Sequence, residues 1–145
     1  MNNSLNKEND QFLETIKSTI GKDIIETKAF LNDYQIIVPS KKIFDVLTKL
    51  HGNSYFAFDQ LIDITAIDYP EKSTRFEVVY LLLSTTTNQR LTIKIYVNEG
   101  ELVQSSVSIF KSANWSEREI WDMFGIFFSG HPDLRRLLTD QPSSF

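Results

Sequence analysis

The chain has 145 residues, 41% of them hydrophobic, and 15 lysines and arginines against 19 aspartates and glutamates, for a formal charge of −4. That length suits one sizeable core and a single domain over 1–145, and the acidic balance argues against a general nucleic-acid binder, which shows a basic face. There is no cysteine, which excludes disulfides, thiol catalysis, cysteine-ligated zinc and conventional iron–sulphur clusters held by this chain.

In chain order, Met1 to Asp10 lacks the basic flank and apolar run of a secretory signal and the arginine-rich character of a mitochondrial presequence. The chain is therefore expected to be used where it is made, or to have lost a targeting segment already. Phe12, Leu13, Ile16 and Ile20 recur at helical spacing, which predicts a helix over about 10–20 with Gly21 as its stop. Asp23 to Phe30 and Tyr34 to Val38 read as two short strands joined by Asn32-Asp33, a hairpin signal. Pro39-Ser40 opens a second helix over 40–51, with Ile43, Val46, Leu47 and Leu50 on one face and Gly52 just past its end. His51, at that end, is assigned to the helix terminus or to solvent.

Three or four strands follow. Leu61 to Ile67 is interrupted by Asp63, and Tyr69-Pro70-Glu71-Lys72 makes a turn. Phe76 to Ser84 is apolar on both faces, Val78, Tyr80 and Leu82 against Val79, Leu81 and Leu83, so it belongs in the middle of a sheet. Arg90 to Val97 alternates, with Leu91, Ile93, Ile95 and Val97 inward. Leu102 to Phe110 is read as the last strand, after the Asn98-Glu99-Gly100-Glu101 turn. The expected fold is α+β: a two-layer α/β sandwich of order α-β-β-α-β-β-β(-β). Both early helices cover one face of a mixed or antiparallel sheet.

The C-terminal stretch is denser in large and charged side chains. Ser116 and Glu119 fit a capping box, and Glu117 and Glu119 place acid in a first helical turn, where the helix dipole favours it. Ile120, Met123, Phe124 and Phe127 then share a stripe, Arg118 and Asp122 are spaced to pair along the helix, and Gly125 is placed to end it. Phe127 and Phe128 point to opposite sides of an extended segment. Ser129-Gly130-His131-Pro132 is a turn, and Asp133 to Leu138 a further helical turn carrying Arg135 and Arg136. In a domain this small Trp115, Trp121, Phe127 and Phe128 cannot all be buried beside a full sheet core, so some of them are expected to meet a partner.

Each feature has a plainer reading. The stripe is the core side of an ordinary helix, Glu117-Arg118-Glu119 a solvated first turn, and His131 a turn residue with no second ligand to make a metal site. Asp59, Asp63 and Asp68 lack the glycine and terminal glutamate of a calcium loop, and so read as solvated carboxylates on a strand rim. Glu117 and Glu119, two apart on a helix, face away from each other and make a poor acid–base pair. No phosphate-binding glycine loop and no nucleophile elbow is present. An Asn114-Trp115-Ser116 glycosylation match without a secretory signal is coincidental. No run approaches the ~20 apolar residues that span a bilayer. A free-standing small enzyme or adaptor domain is the alternative from a different class.

The joint order of these residues, Ser112-Ala113-Asn114-Trp115 through Ser116-Glu117-Arg118-Glu119-Ile120-Trp121-Asp122-Met123-Phe124-Gly125 to His131-Pro132-Asp133-Leu134-Arg135-Arg136 and Thr139-Asp140, resembles the signature of the 30 kDa subunit family (the C subunit) of proton-pumping NADH–quinone oxidoreductase, respiratory complex I, above all its mitochondrial and α-proteobacterial forms. The resemblance implies a component of the hydrophilic arm that binds no cofactor itself. Its partners would be the arm subunits that carry the terminal iron–sulphur cluster and frame the quinone site, with flavin, clusters and quinone held by those partners. It would touch the membrane only indirectly, on the matrix side of the mitochondrial inner membrane or on the cytoplasmic face of a bacterial one. A homologous component of a related membrane-bound hydrogenase or another quinone-reducing dehydrogenase is the nearer alternative. Glu117, Arg118, Glu119, Asp122, His131, Pro132, Arg135 and Arg136 are carried over as signature residues, and Trp115, Trp121, Phe127 and Phe128 are the expected aromatic anchors. Family members continue into a second glycine-rich segment and a long wrapping tail, whereas this chain stops at Phe145. A naturally short subunit, an arm supplied by a separate chain and a truncated chain are the three readings of that departure.

Overall fold

The period-2 segments pair into one sheet. In the computed structural model, which describes the backbone of residues 2–30 and 33–134 and the side chains of 11–29 and 33–134, β1 (Glu26–Phe30), β2 (Asp33–Ile37), β3 (Gln60–Asp68), β4 (Phe76–Ser84) and β5 (Gln89–Val97) lie in the order β1-β2-β5-β4-β3. All neighbours are antiparallel except β2 and β5, which run parallel, so the sheet is mixed. The Asn32 turn between β1 and β2 falls outside the described residues, but Phe30 pairs with Asp33 in an antiparallel register that a hairpin requires. β4 is flanked by β3 and β5, the central position its two apolar faces demand.

Register decides what each face of the sheet does. Phe76, Val78, Tyr80 and Leu82 of β4 stand opposite Val97, Ile95, Ile93 and Leu91 of β5, and all eight are buried. Helix α1 (Asn2–Ile20) contributes Phe12, Ile16 and Ile20 to the same core, and helix α2 (Ile43–Gly52) adds Ile43, Val46, Leu47 and Leu50. Phe12 lies against the rings of Tyr34 and Phe56 at 4.4 and 5.2 Å between centroids. The two-layer α+β arrangement is therefore the observed one. Helix α1 starts well before residue 10; the polar segment 2–10 carries no apolar stripe, so periodicity did not announce that start.

The expected strand over Leu102 to Phe110 does not form. Only Val103–Gln104 is extended (β6), and it pairs outside the main sheet, in parallel, with Phe128–Ser129 (β7). The chain leaves the extended conformation at Ser105-Ser106 and turns, with Phe110 N donating to Ser106 O. Parallel strands need a crossover between them. Here the crossover is helix α3 (Ala113–Phe124), which carries the signature residues.

Candidate functional site

Helix α3 starts earlier than its acidic residues suggested. It opens at Ala113, and Ser112, at the N-cap, makes no capping bond; its hydroxyl donates to the Leu61 carbonyl of β3 at 2.9 Å. The Ser116–Glu119 capping box is therefore absent. Ser116 lies inside the helix, is buried, and donates to Asp63 Oδ1 at 3.3 Å. The helix ends as expected: Gly125 takes the left-handed conformation at φ 73° and its N–H closes on the Trp121 carbonyl at 2.9 Å.

With that start, the helix turns Ala113, Ser116, Glu117 and Ile120 inward. Glu117 is no solvated first-turn residue; it is fully buried. Its Oε1 accepts from Ser105 Oγ at 2.6 Å, and its Oε2 accepts from Ser106 N at 2.8 Å and Ser106 Oγ at 3.0 Å. Burial pushes the carboxyl above its ordinary range, while the bonds from Ser105 and Ser106 pull it back. Burial drives the Tyr80 phenol well above its usual value, and the negative field of Glu117 adds to that. The Tyr80 hydroxyl has no hydrogen-bond partner among the described residues. The carboxylate and both serines are shut off from solvent, so this cluster ties α3 to the segment after β6 rather than presenting groups to a substrate.

His131 is likewise internal. The turn that delivers it has Gly130 at φ 85° and a bond from His131 N to Phe128 O at 3.2 Å. The buried ring accepts at Nδ1 from Asp133 N (3.1 Å) and Leu134 N (3.3 Å), so the ring proton sits on Nε2, which donates to Asn114 O at 2.8 Å. His131 is thus an N-cap whose side chain satisfies the second and third helical N–H groups, and exposed Pro132 occupies the first helical position, where no N–H is needed. One imidazole joins the His-Pro turn to the first turn of α3. Pro132 to Leu134 are helical; residues 135–138 of the expected turn, Arg135 and Arg136 among them, lie outside the described residues.

The aromatic anchors divide. Phe128 is fully buried on β7, while Phe127 points the other way and stays half-buried, edge-on to half-buried Trp121 at 5.6 Å. Trp115 is 67% exposed. Met123, expected in the buried stripe, is 75% exposed, because the inward face is set by Glu117 and Ile120 and runs on to Phe124 against Phe76. Arg118, Glu119 and Asp122 are exposed with Trp115, and Arg118 and Asp122 form no ion pair among the described residues. Trp115, Arg118, Glu119, Asp122 and Met123 line a groove of about 280 Å³.

The three acidic residues upstream keep contact with solvent, Asp59 exposed and Asp63 and Asp68 half-buried, and each also has a protein partner. Asp59 accepts from Thr85 N and Oγ1, Asp63 from Ile64 N and Ser116, and Asp68 binds Arg75 through two bonds of 2.7 and 2.9 Å. Among the described residues no cluster of His, Asp and Glu is arranged to hold a metal ion. Sequence reasoning missed Ser105, Ser106 and Asp63 as partners of α3. Its only signal was the Ser105-Ser106 pair, which breaks the alternation of a run that also holds Gln104 and Ser108. No helix among the described residues is long and apolar enough to cross a membrane.

Comparison with known proteins gives this geometry a lineage. Residues 36–144 match the family model for the respiratory-chain NADH dehydrogenase 30 Kd subunit. The chain is 47% identical over 125 residues to the C subunit of NADH-quinone oxidoreductase from Rhodospirillum rubrum and 45% identical to that from Brucella abortus, covering 86% of this chain in each case. It spans 59% and 62% of the lengths of those two relatives. The trypsin-resistant fragment (1–134) of Nqo5 has the same fold, with a TM-score of 0.70 and 28% identity over 86% of this chain and 97% of that fragment. A chain of an archaeal membrane-bound sulfane sulfur reductase shares the fold at a TM-score of 0.77 and 22% identity, over 87% of this chain and 73% of that one. The signature order, the matched family model and the relatives agree: the chain belongs to the respiratory-chain NADH dehydrogenase 30 Kd subunit family.

Proposed function

We propose that this chain is a structural and assembly subunit of the peripheral arm of a proton-pumping NADH:quinone oxidoreductase. It binds no redox group, and it supports electron transfer from NADH to quinone by holding neighbouring subunits in place. Its neighbours are the subunits that carry the terminal iron–sulphur cluster and frame the quinone site. It sits peripherally at the inner membrane, on the matrix side in a mitochondrion; the relatives named above are bacterial, and there the equivalent face is cytoplasmic.

The observation that carries the reading is the division of the signature helix. Its inner face is tied down by Ser112, Ser116 and Glu117, while Trp115 and Met123, the two most exposed large apolar side chains described, stand on its outer face. A rigid helix presenting an exposed tryptophan loses little freedom on binding, which favours association. The test is affinity isolation of the tagged chain from its native membrane. Respiratory-complex subunits should co-purify in a very large particle with NADH–quinone activity, and the purified chain alone should show no visible-range chromophore. A flavin or cluster bound stoichiometrically to the isolated chain, or elution of native extract only as a small particle, overturns the reading. A hydrogenase or sulphur-reductase input subunit in the particle would assign the chain to a related complex instead.

A further inference from the structure

We propose that the outer face of α3 is a docking groove for one segment of a neighbouring protein in the complex. That segment inserts an apolar side chain between Trp115 and Met123 and sets basic residues against Glu119 and Asp122. The inference rests on the peripheral-arm reading and deepens it, because it says what chemistry the partner brings.

The groove is built. At about 100° per residue, Trp115, Glu119 and Asp122 fall on one side of α3, with Arg118 and Met123 at its two edges. Glu117 and Ile120 point the opposite way into the core. The bonds from Ser112 to Leu61 O, from Ser116 to Asp63 and from Ser105 and Ser106 to Glu117 hold the helix against rotation. The five outer side chains therefore line an open groove of about 280 Å³ on a fixed frame.

The charges select the occupant. Two carboxylates and one guanidinium line the groove with no ion pair among the described residues, leaving a local charge of −1. An anionic lipid surface is repelled by that charge. A second copy of this chain, itself at −4, would bring acid to acid across a two-fold contact. A basic, partly apolar protein segment satisfies both halves of the groove: the aromatic and thioether surfaces accept the apolar side chain, and the carboxylates accept the cations.

Three variants of the full chain, expressed in a host lacking its own copy, test this. Glu119→Lys with Asp122→Lys should weaken retention in the membrane complex at least about tenfold in a salt-titrated pull-down. Arg118→Glu, which removes the groove's one cation and makes it more acidic, should raise retention. A photo-cross-linking residue at Met123 should join the chain to one peptide of another subunit, with Lys or Arg within about one helical turn of the joined position. Circular dichroism of the isolated variants should match the parent, since none of the changed side chains makes an internal bond among the described residues. Loss of retention in Arg118→Glu with retention in the double variant would show an acidic partner and overturn the proposal. So would a cross-link to lipid, to a second copy or to an acidic peptide. If the parent chain itself fails to enter a respiratory complex, the peripheral-arm reading fails; if the parent enters and the double variant enters equally well, the groove proposal alone fails.

Discussion

The two faces of helix α3 carry similar residue types and put them to opposite uses. Inward, Glu117 is buried and its carboxylate is met by three donors from Ser105 and Ser106. Outward, Glu119 and Asp122 are exposed and line a groove beside an exposed tryptophan and methionine. A charged group in this helix is structural where burial makes its hydrogen bonds obligatory, and it is available to a partner where water already satisfies it. Substitutions should therefore split by face: inner ones cost stability, and outer ones cost assembly alone.

The largest effect is expected at Ile120, which is buried on the inner face. Ile120→Ala should lower unfolding stability by about 2–5 kcal/mol, read from the urea midpoint at constant slope. A loss below about 1 kcal/mol would mean that α3 is only loosely seated and that the contrast between faces is weak. Glu117→Ala comes next, at about 2–3 kcal/mol, because it strands the buried Ser106 N–H and removes the partner of two buried hydroxyls. His131→Ala should cost about 1–2 kcal/mol through loss of the cap on Asp133 and Leu134 and of the tie to Asn114. At the other extreme, Trp115→Ala should stay within about 0.5 kcal/mol of the parent in unfolding while impairing entry into the complex. Should Trp115→Ala unfold the isolated chain, the division of labour between the faces is wrong.

Acidity sharpens the same comparison. Burial raises the folded-state value of Glu117 above the ordinary 4.5, so the folded chain binds that proton more tightly than the unfolded chain does. The stability this contributes is fully present below about 4.5 and is lost as pH rises through the raised folded value. Glu117→Gln has no such proton to lose. Its stability relative to the parent should improve as pH rises across that window, as measured by urea unfolding of both chains at a series of pH values. Parallel curves would show that the three hydrogen bonds cancel the cost of burial.

Much of the fold was legible because its information is local. β4 and β5 announce themselves by period-2 alternation and take the central positions that their apolar faces require. The stripe Ile43, Val46, Leu47 and Leu50 is the buried face of α2. The candidate site was legible in part: Gly125 ends its helix and Phe127 and Phe128 part company as read. Glu117 was misplaced because local rules put an acid after Ser116 into a first turn. The helix in fact begins four residues earlier, where Ser112 is held by a carbonyl 51 residues away. Leu102 to Phe110 was misread because an apolar run looks like a strand until the hydroxyls of Ser105 and Ser106 are seen to be claimed by Glu117.

By itself, the sequence determined the α+β class, the strands and helices with clear periodicity, the stop at Gly125 and the ordered signature that marks the family. These depend on spacing along the chain, which backbone geometry converts directly into faces and turns. Only the tertiary structure decided that Glu117 and His131 lie inside while Arg118, Glu119 and Asp122 stay outside, and that β6 leaves the main sheet to pair with β7. A buried carboxylate or imidazole is tolerated only where donors or acceptors from other segments meet it. Those partners, Ser105, Ser106 and Asn114, come to it through folding and not through any local pattern.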